Sequence, residues 1–112
     1  MNVLFVCTEN IARSPMAEVI FNELLGGDAR HRARSVGVAS HAKRRLTTRE
    51  VAWADVVAVM EMEHLELIRM QWPDSEVKTV VLDVPDLYEP SDAALRELLT
   101  PKIRALIEEL DR

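Results

Sequence analysis

Residues Asn2-Val3-Leu4-Phe5-Val6-Cys7-Thr8-Glu9-Asn10-Ile11-Ala12-Arg13-Ser14-Pro15 decide how this 112-residue chain folds. Asn2 to Cys7 is an unbroken apolar and β-branched run of the kind a parallel sheet buries on both faces. A polar loop follows, and Ser14-Pro15 opens a helix. Ser14 suits the N-cap, and Pro15 suits the first helical position, whose N–H would have no intrahelical partner. Met16, Ala17, Ile20, Phe21, Leu24 and Leu25 continue at helical spacing, and Gly26-Gly27 closes the pattern.

The rest of the chain repeats this alternation. Arg32 to Val38 reads as a second strand, and Leu46 to Ala52 as a short helix capped by Thr47 or Thr48. Asp55 to Met60 is a third, buried strand, and Glu61 to about Gln71 a helix ended by Trp72-Pro73-Asp74. Lys78 to Leu82 is a fourth strand. The segment Asp83 to Pro90, with Pro85 and Pro90, reads as a loop, and Ser91 onward as helix with an interruption at Thr100-Pro101. Alternating strands and helices imply an α/β fold with a parallel sheet and right-handed crossovers. With no repeat or linker, residues 1–112 form one domain. Ligands of such sheets sit beyond the carboxyl ends of the strands. Cys7 and the Asp83 to Pro90 loop both lie there.

Composition narrows the class. The chain is 48% hydrophobic and 29% charged, with a single cysteine. At this length roughly two-thirds of the unfolded surface is buried, which sustains a core without disulfides. One cysteine cannot form an internal disulfide. With no signal-like start and no long apolar run, the expectation is a soluble cytoplasmic protein without a membrane partner. The aromatic content of 4% argues against a stacking platform for nucleic acid. The net charge of −5 is unevenly placed, because Arg30, Arg32, Arg34, Lys43, Arg44, Arg45 and Arg49 fall in a stretch without any Asp or Glu. That stretch is either a solvated face or an electropositive collar that steers an anion.

Cys7 and Arg13 bracket five residues between the first strand and the first helix. A tight arc in this place points backbone N–H groups inward and forms an anion nest at the positive end of the helix dipole. It brings Arg13 over the nest, where its planar fork can hold two phosphate oxygens. The same positive environment favours the thiolate, the form that attacks. Taken alone, the spacing also fits an inert buried Cys and an Arg paired with a surface acid.

The string Cys7-Thr8-Glu9-Asn10-Ile11-Ala12-Arg13-Ser14-Pro15-Met16-Ala17-Glu18 resembles the low-molecular-weight protein tyrosine phosphatases, in a compact branch. Arg34-Ser35-Val36-Gly37-Val38 is similar to the family's second-strand element, and His41 to Thr47 to its basic segment. Ala54-Asp55 through Met60 to His64 is similar to its Ala-Asp, strand, Met and His stretch. Asp86-Leu87-Tyr88 resembles its Asp-Pro-Tyr loop, with Leu in place of the proline. The resemblance implies a three-layer α/β/α domain with a four-stranded parallel sheet in the order 2-1-3-4. The phosphate-binding loop then lies between strand 1 and helix 1.

It also implies a metal-free reaction without a cofactor. Cys7 would be the nucleophile, Arg13 and the loop residues Thr8 to Ser14 the phosphate cradle, and Asp86 the general acid and base. Asn10 would brace the loop, Ser14 Oγ would donate to the thiolate, and Tyr88 would flank an aromatic substrate. A phosphorylated protein or small aryl phosphate is the expected partner, with phosphate or sulfate able to occupy the loop. Asp83 is a rival acid, and Glu89 a third candidate. Two residues depart from the family pattern. Glu9 replaces a usual Gly, and aimed inward it would disfavour the thiolate and repel phosphate. Ala12 stands where many members have a second cysteine, so Cys7 has no internal resolving partner. His64 reads as a cap or surface group, Trp53 and Trp72 as core edges, and Met60, Met62 and Met70 as packing material. No residue spacing argues for a metal. Two alternatives remain: an arsenate reductase using an external thiol, and a non-catalytic binder of phosphorylated partners.

Overall fold

A computed structural model describes all 112 residues. Four parallel strands, β1 (Asn2–Cys7), β2 (Arg32–Gly37), β3 (Val56–Val59) and β4 (Thr79–Val81), form one sheet in the order β2-β1-β3-β4. Four α-helices connect and cover them: α1 (Arg13–Leu25), α2 (Thr48–Trp53), α3 (Met62–Gln71) and α4 (Ala93–Leu110), and a 3-10 turn (Pro73–Lys78) leads into β4.

The unbroken apolar run of β1 follows from its central place, because successive side chains enter different cores. Val3, Phe5 and Cys7 join Met16, Ile20 and Phe21 of α1 and Leu95, Leu99 and Ile103 of α4 on one face. Leu4 and Val6 join Val51, Val57, Val59 and Ile68 on the other, under α2 and α3. The three layers are therefore α1/α4, sheet and α2/α3. Phe5 and Phe21 meet edge to face at 5.7 Å, which ties β1 to α1 directly behind the loop that joins them.

Three expectations are corrected. Helix α1 begins at Arg13 with Ala12 in the N-cap position and no side-chain cap. Ser14 is not the cap, because its hydroxyl is turned to Cys7 instead. Thr100-Pro101 does not interrupt the last helix, for α4 runs through Pro101 as a single element. Leu95 and Leu99 before the proline and Ile103 and Leu106 after it are all buried, so packing on α1 holds the helix together. Of the three methionines, only Met60 is buried, whereas Met62 and Met70 are 54% and 83% exposed. The other boundaries agree: Thr47 caps α2 by accepting from Glu50 N, and Gly26 ends α1 in the left-handed conformation at φ 57°.

The strand order reverses between β1 and β3, because the crossover from β1 runs outward to β2 and the one from β3 runs outward to β4 on the other side. The crevice at the carboxyl ends of β1 and β3 is where such folds place a ligand.

Candidate active site

The loop after β1 is fastened by its outer side. The carbonyls of Cys7, Thr8 and Glu9 accept from the backbone N–H groups of Val38, Ala39 and Lys43 at 3.0, 2.9 and 3.1 Å. This clasp needs Gly37. A Cβ there would lie 2.6 Å from Thr8 O and 2.8 Å from both Asn10 N and the Ala42 Cβ. Asn10, buried and at φ 56°, makes the turn and sends its own N–H to Cys7 Sγ at 3.3 Å.

The inner side is left open. The amides of Thr8, Glu9, Ile11, Ala12, Arg13 and Ser14 donate to no protein acceptor. N–H groups without protein partners, in a loop at the start of a 13-residue helix, are free to bind an anion. Cys7 Sγ lies 3.0 Å from Ser14 Oγ, which also receives Asn10 Nδ2 at 2.9 Å and can donate to Val36 O at 3.2 Å. The serine can thus serve either state of the sulfur. A thiol donates to Oγ while the hydroxyl proton goes to Val36, and a thiolate takes that proton's hydrogen bond instead.

Arg13 is 2% exposed, and a buried guanidinium needs partners. Nη1 donates to Glu61 Oε1 and, at 2.7 Å, to Val84 O, while Nη2 donates to Thr8 Oγ1 at 3.3 Å. Three of its five N–H groups are thereby used. The Nε–H and the second Nη2–H remain, and they share the edge that pairs with two oxygens of a phosphate. Asp86 Oδ1 stands 3.8 Å from Nε, beyond hydrogen-bond distance but in front of that edge.

A cavity of about 170 Å³ joins these parts, lined by Cys7, Arg13, Asp86, Tyr88 and Glu89 with Glu9, Ile11, Ala12 and Pro90. The structure therefore brings together Cys7, Arg13, Asp86 and Tyr88, separated in sequence by up to 81 positions. Asp83 is absent from the lining and occupies an exposed turn at φ 61°. Glu9 reaches the cavity mouth, but its carboxylate is turned outward to His41 Nε2 at 2.8 Å. The inward orientation that would repel phosphate is not adopted. The basic stretch divides. Arg30 pairs with Asp28 and Asp111, and Arg34 lies over Trp53 and bonds Glu50, while exposed Lys43, Arg44 and Arg45 follow the segment clasped to the loop.

Two residues of the site have no signal in local spacing. Glu61 enters as the carboxylate partner of Arg13, and His64 is 1% exposed rather than a surface group. Its capping part is confirmed, since Nδ1 accepts from Glu61 N at 3.1 Å at the start of α3. Glu61, Glu63 and His64 place ligand atoms within 4.8 Å of one another, but the first and last of these are already engaged by Arg13 and Thr8.

The family model of low molecular weight phosphotyrosine protein phosphatases matches residues 2–53. The relative Ptp of Acinetobacter johnsonii, a low molecular weight protein-tyrosine-phosphatase, is 26% identical over 86% of each chain. The tyrosine phosphatase Wzb of Escherichia coli K30, solved with phosphate, superimposes with a TM-score of 0.81 at 27% identity over 97% of each chain. The model match covers 52 of the 112 residues, from β1 to α2, and along most of its length the chain is similar to low-molecular-weight protein tyrosine phosphatases. The arginine phosphatase YwlE of Geobacillus stearothermophilus is also similar, with a TM-score of 0.78 and 28% identity over 98% of this chain and 92% of that one. All three of these proteins are named phosphatases. No helix is long and apolar enough to cross a membrane.

Proposed function

We propose that the chain hydrolyses aryl phosphates, with phosphotyrosine in a protein as substrate, through a phosphocysteine. The observation that carries this reading is that Cys7 and Arg13 line one cavity at the two ends of a loop whose amides at six positions have no protein acceptor. The amides and Arg13 hold the three equatorial oxygens of the phosphoryl group. Cys7 Sγ attacks phosphorus in line, forming the S–P bond as the bond to the phenolic oxygen breaks. Asp86 gives its proton to the departing phenolate. As carboxylate it then takes a proton from water, which attacks phosphorus, releases phosphate and restores the thiolate. Tyr88, half-buried at the cavity wall, flanks the aromatic ring.

Purified protein is expected to hydrolyse p-nitrophenyl phosphate near pH 6, and acid quenching to trap one phosphate per chain. Cys7→Ser should lower turnover by about 10⁴ or more, since the nucleophile cannot be replaced by its neighbours. Wild-type turnover in that variant overturns the reading. Because a relative is named an arginine phosphatase, phosphoarginine is the comparison substrate, and a preference for it would replace the aryl assignment. Arsenate reduction would need an external thiol, and thiol-dependent release of arsenite would identify it.

A further inference from the structure

His64 sits beneath the catalytic loop on the first turn of α3, and the two-step reaction makes no use of it. The hydrogens of its ring follow from its neighbours. Glu61 N donates to Nδ1 at 3.1 Å, so Nδ1 is an acceptor and the proton resides on Nε2. Nε2 lies 3.1 Å from Thr8 Oγ1 and donates to it. Burial first, and then the charge of Arg13, push His64 down from 6.5 to about 4, so this tautomer persists through the neutral range. Thr8 Oγ1 accepts a second hydrogen bond, from Arg13 Nη2 at 3.3 Å.

The three contacts of Arg13 are not equivalent. Glu61 Oε1 and Val84 O both hold Nη1, which fixes one corner of the guanidinium and leaves its plane free to rock about that corner. The contact through Thr8 is the one on a different nitrogen, adjacent to the edge that remains free. A threonine hydroxyl has three staggered orientations, and Thr8 keeps the useful one because Nε2–H of a buried ring is aimed at it.

We propose that His64 is a positioning residue for phosphoryl transfer: by donating to Thr8 it sets the plane of Arg13, and so the direction of the fork that receives phosphate. The proposal rests on Arg13 being that fork. One residue thereby has two outputs, since Glu61 orients the His64 ring through its backbone N–H and holds Arg13 through its carboxylate. Strand β3 and helix α3, which meet at this residue, thus aim a side chain that belongs to α1.

The test compares wild type, His64→Leu, His64→Gln, Thr8→Val and the His64→Leu/Thr8→Val double variant. Each is titrated calorimetrically with inorganic phosphate, assayed with p-nitrophenyl phosphate, and checked for its thermal midpoint. A misplaced fork lowers reaction efficiency by up to about 100-fold, so His64→Leu and Thr8→Val should each reduce phosphate affinity and kcat/KM by roughly tenfold. His64→Gln, whose amide nitrogen can donate to the same oxygen, should stay within about threefold of wild type, an outcome a merely structural role does not give. The double variant should be no worse than either single change, because both cut one path. Additive losses, failure of Gln to rescue, or losses that follow the thermal midpoint overturn the proposal. Should His64→Leu fail to fold, Thr8→Val decides alone, since it keeps the side-chain shape, and unchanged phosphate affinity in it overturns the proposal. A wild type that binds no phosphate removes the fork itself. A wild type that binds phosphate normally, with both single variants unchanged, removes only the role of His64.

Discussion

The loop of residues 8–12 and the loop of residues 83–91 face each other across one cavity and are built on opposite plans. The first is held from outside by three backbone hydrogen bonds, turned by a buried Asn10, and floored by Ser14 and Arg13, both almost fully buried. The second is anchored at its start, where Val84 N reaches Met60 O at 2.7 Å and Val84 O receives Arg13. Beyond that anchor, no backbone N–H from Asp86 to Glu89 donates to another backbone group, and Leu87 is 77% exposed. Holding a phosphoryl group requires fixed dipoles aimed at fixed points, since reorganisation during the reaction would cost the stabilisation they supply. Delivering a proton to leaving groups of different shapes requires only reach. On the proposed reaction, the difference teaches that the site keeps its rigidity where charge is stabilised and its freedom where the proton moves.

The comparison can be broken most severely at Asp86. Asp86→Asn keeps the shape of the open loop but removes its proton, and kcat on aryl phosphates should fall by about 10² to 10⁴, the range of general acid catalysis. Asp83→Asn, on the same loop but outside the cavity, should leave kcat within about twofold. Steady-state assays on the two variants settle which acid serves, and the reverse ranking would reject Asp86.

Breaking the rigid side calls for Gly37→Ala. The added methyl group meets Thr8 O at 2.6 Å and Asn10 N at 2.8 Å, both backbone atoms that cannot turn aside. Forced overpacking of this kind costs about 1–3 kcal/mol. Urea unfolding should show that loss, and phosphate affinity should drop with it, because the strain falls on the loop that carries the amides. Full phosphate affinity in this variant would mean that the clasp does not shape the nest.

The smallest effect in neutral buffer is the acid sensitivity of the rigid side. His64 is held neutral, with its ionisation pushed down from 6.5 to about 4, so protons bind the unfolded chain more readily than the folded one. Its contribution to stability is complete above about pH 6.5 and is lost as pH falls toward 4. Thermal midpoints measured across that window should fall more steeply for wild type than for His64→Gln. Equal slopes would show that the ring is accessible to water and protons in the folded state.

The sequence discloses the frame of this site well and its underside poorly, for a physical reason. β1, the loop and α1 are contiguous, and their apolar runs, Pro15 and Gly26 act locally, so the placement of Cys7 and Arg13 between a buried strand and a helix start brings them to one arc where their spacing alone would not. Ser14 reads as an N-cap because capping is what a serine before proline does when no thiol competes for its hydroxyl, and here Cys7 Sγ competes. Asp86 and Tyr88 were readable through the carboxyl-end rule for parallel sheets together with the resemblance of Asp86-Leu87-Tyr88 to a known loop. Glu61 and His64 act on Arg13 and Thr8 from 48 and 56 positions away, and neither hydrophobic period nor capping preference encodes such a contact. The signal that could have found them is their position just past the carboxyl end of β3, beside the reversal of strand order. Pro101 misled in the other direction, since a local breaker was overruled by four buried side chains on its own helix.

The chain holds one cysteine, and that residue lines the cavity where the proposed reaction takes place. Every thiol-directed label attached to the folded protein therefore marks that cavity and nothing else. Counting alkylated chains by mass counts intact centres, and the slowing of alkylation by added phosphate gives a binding isotherm without any substrate.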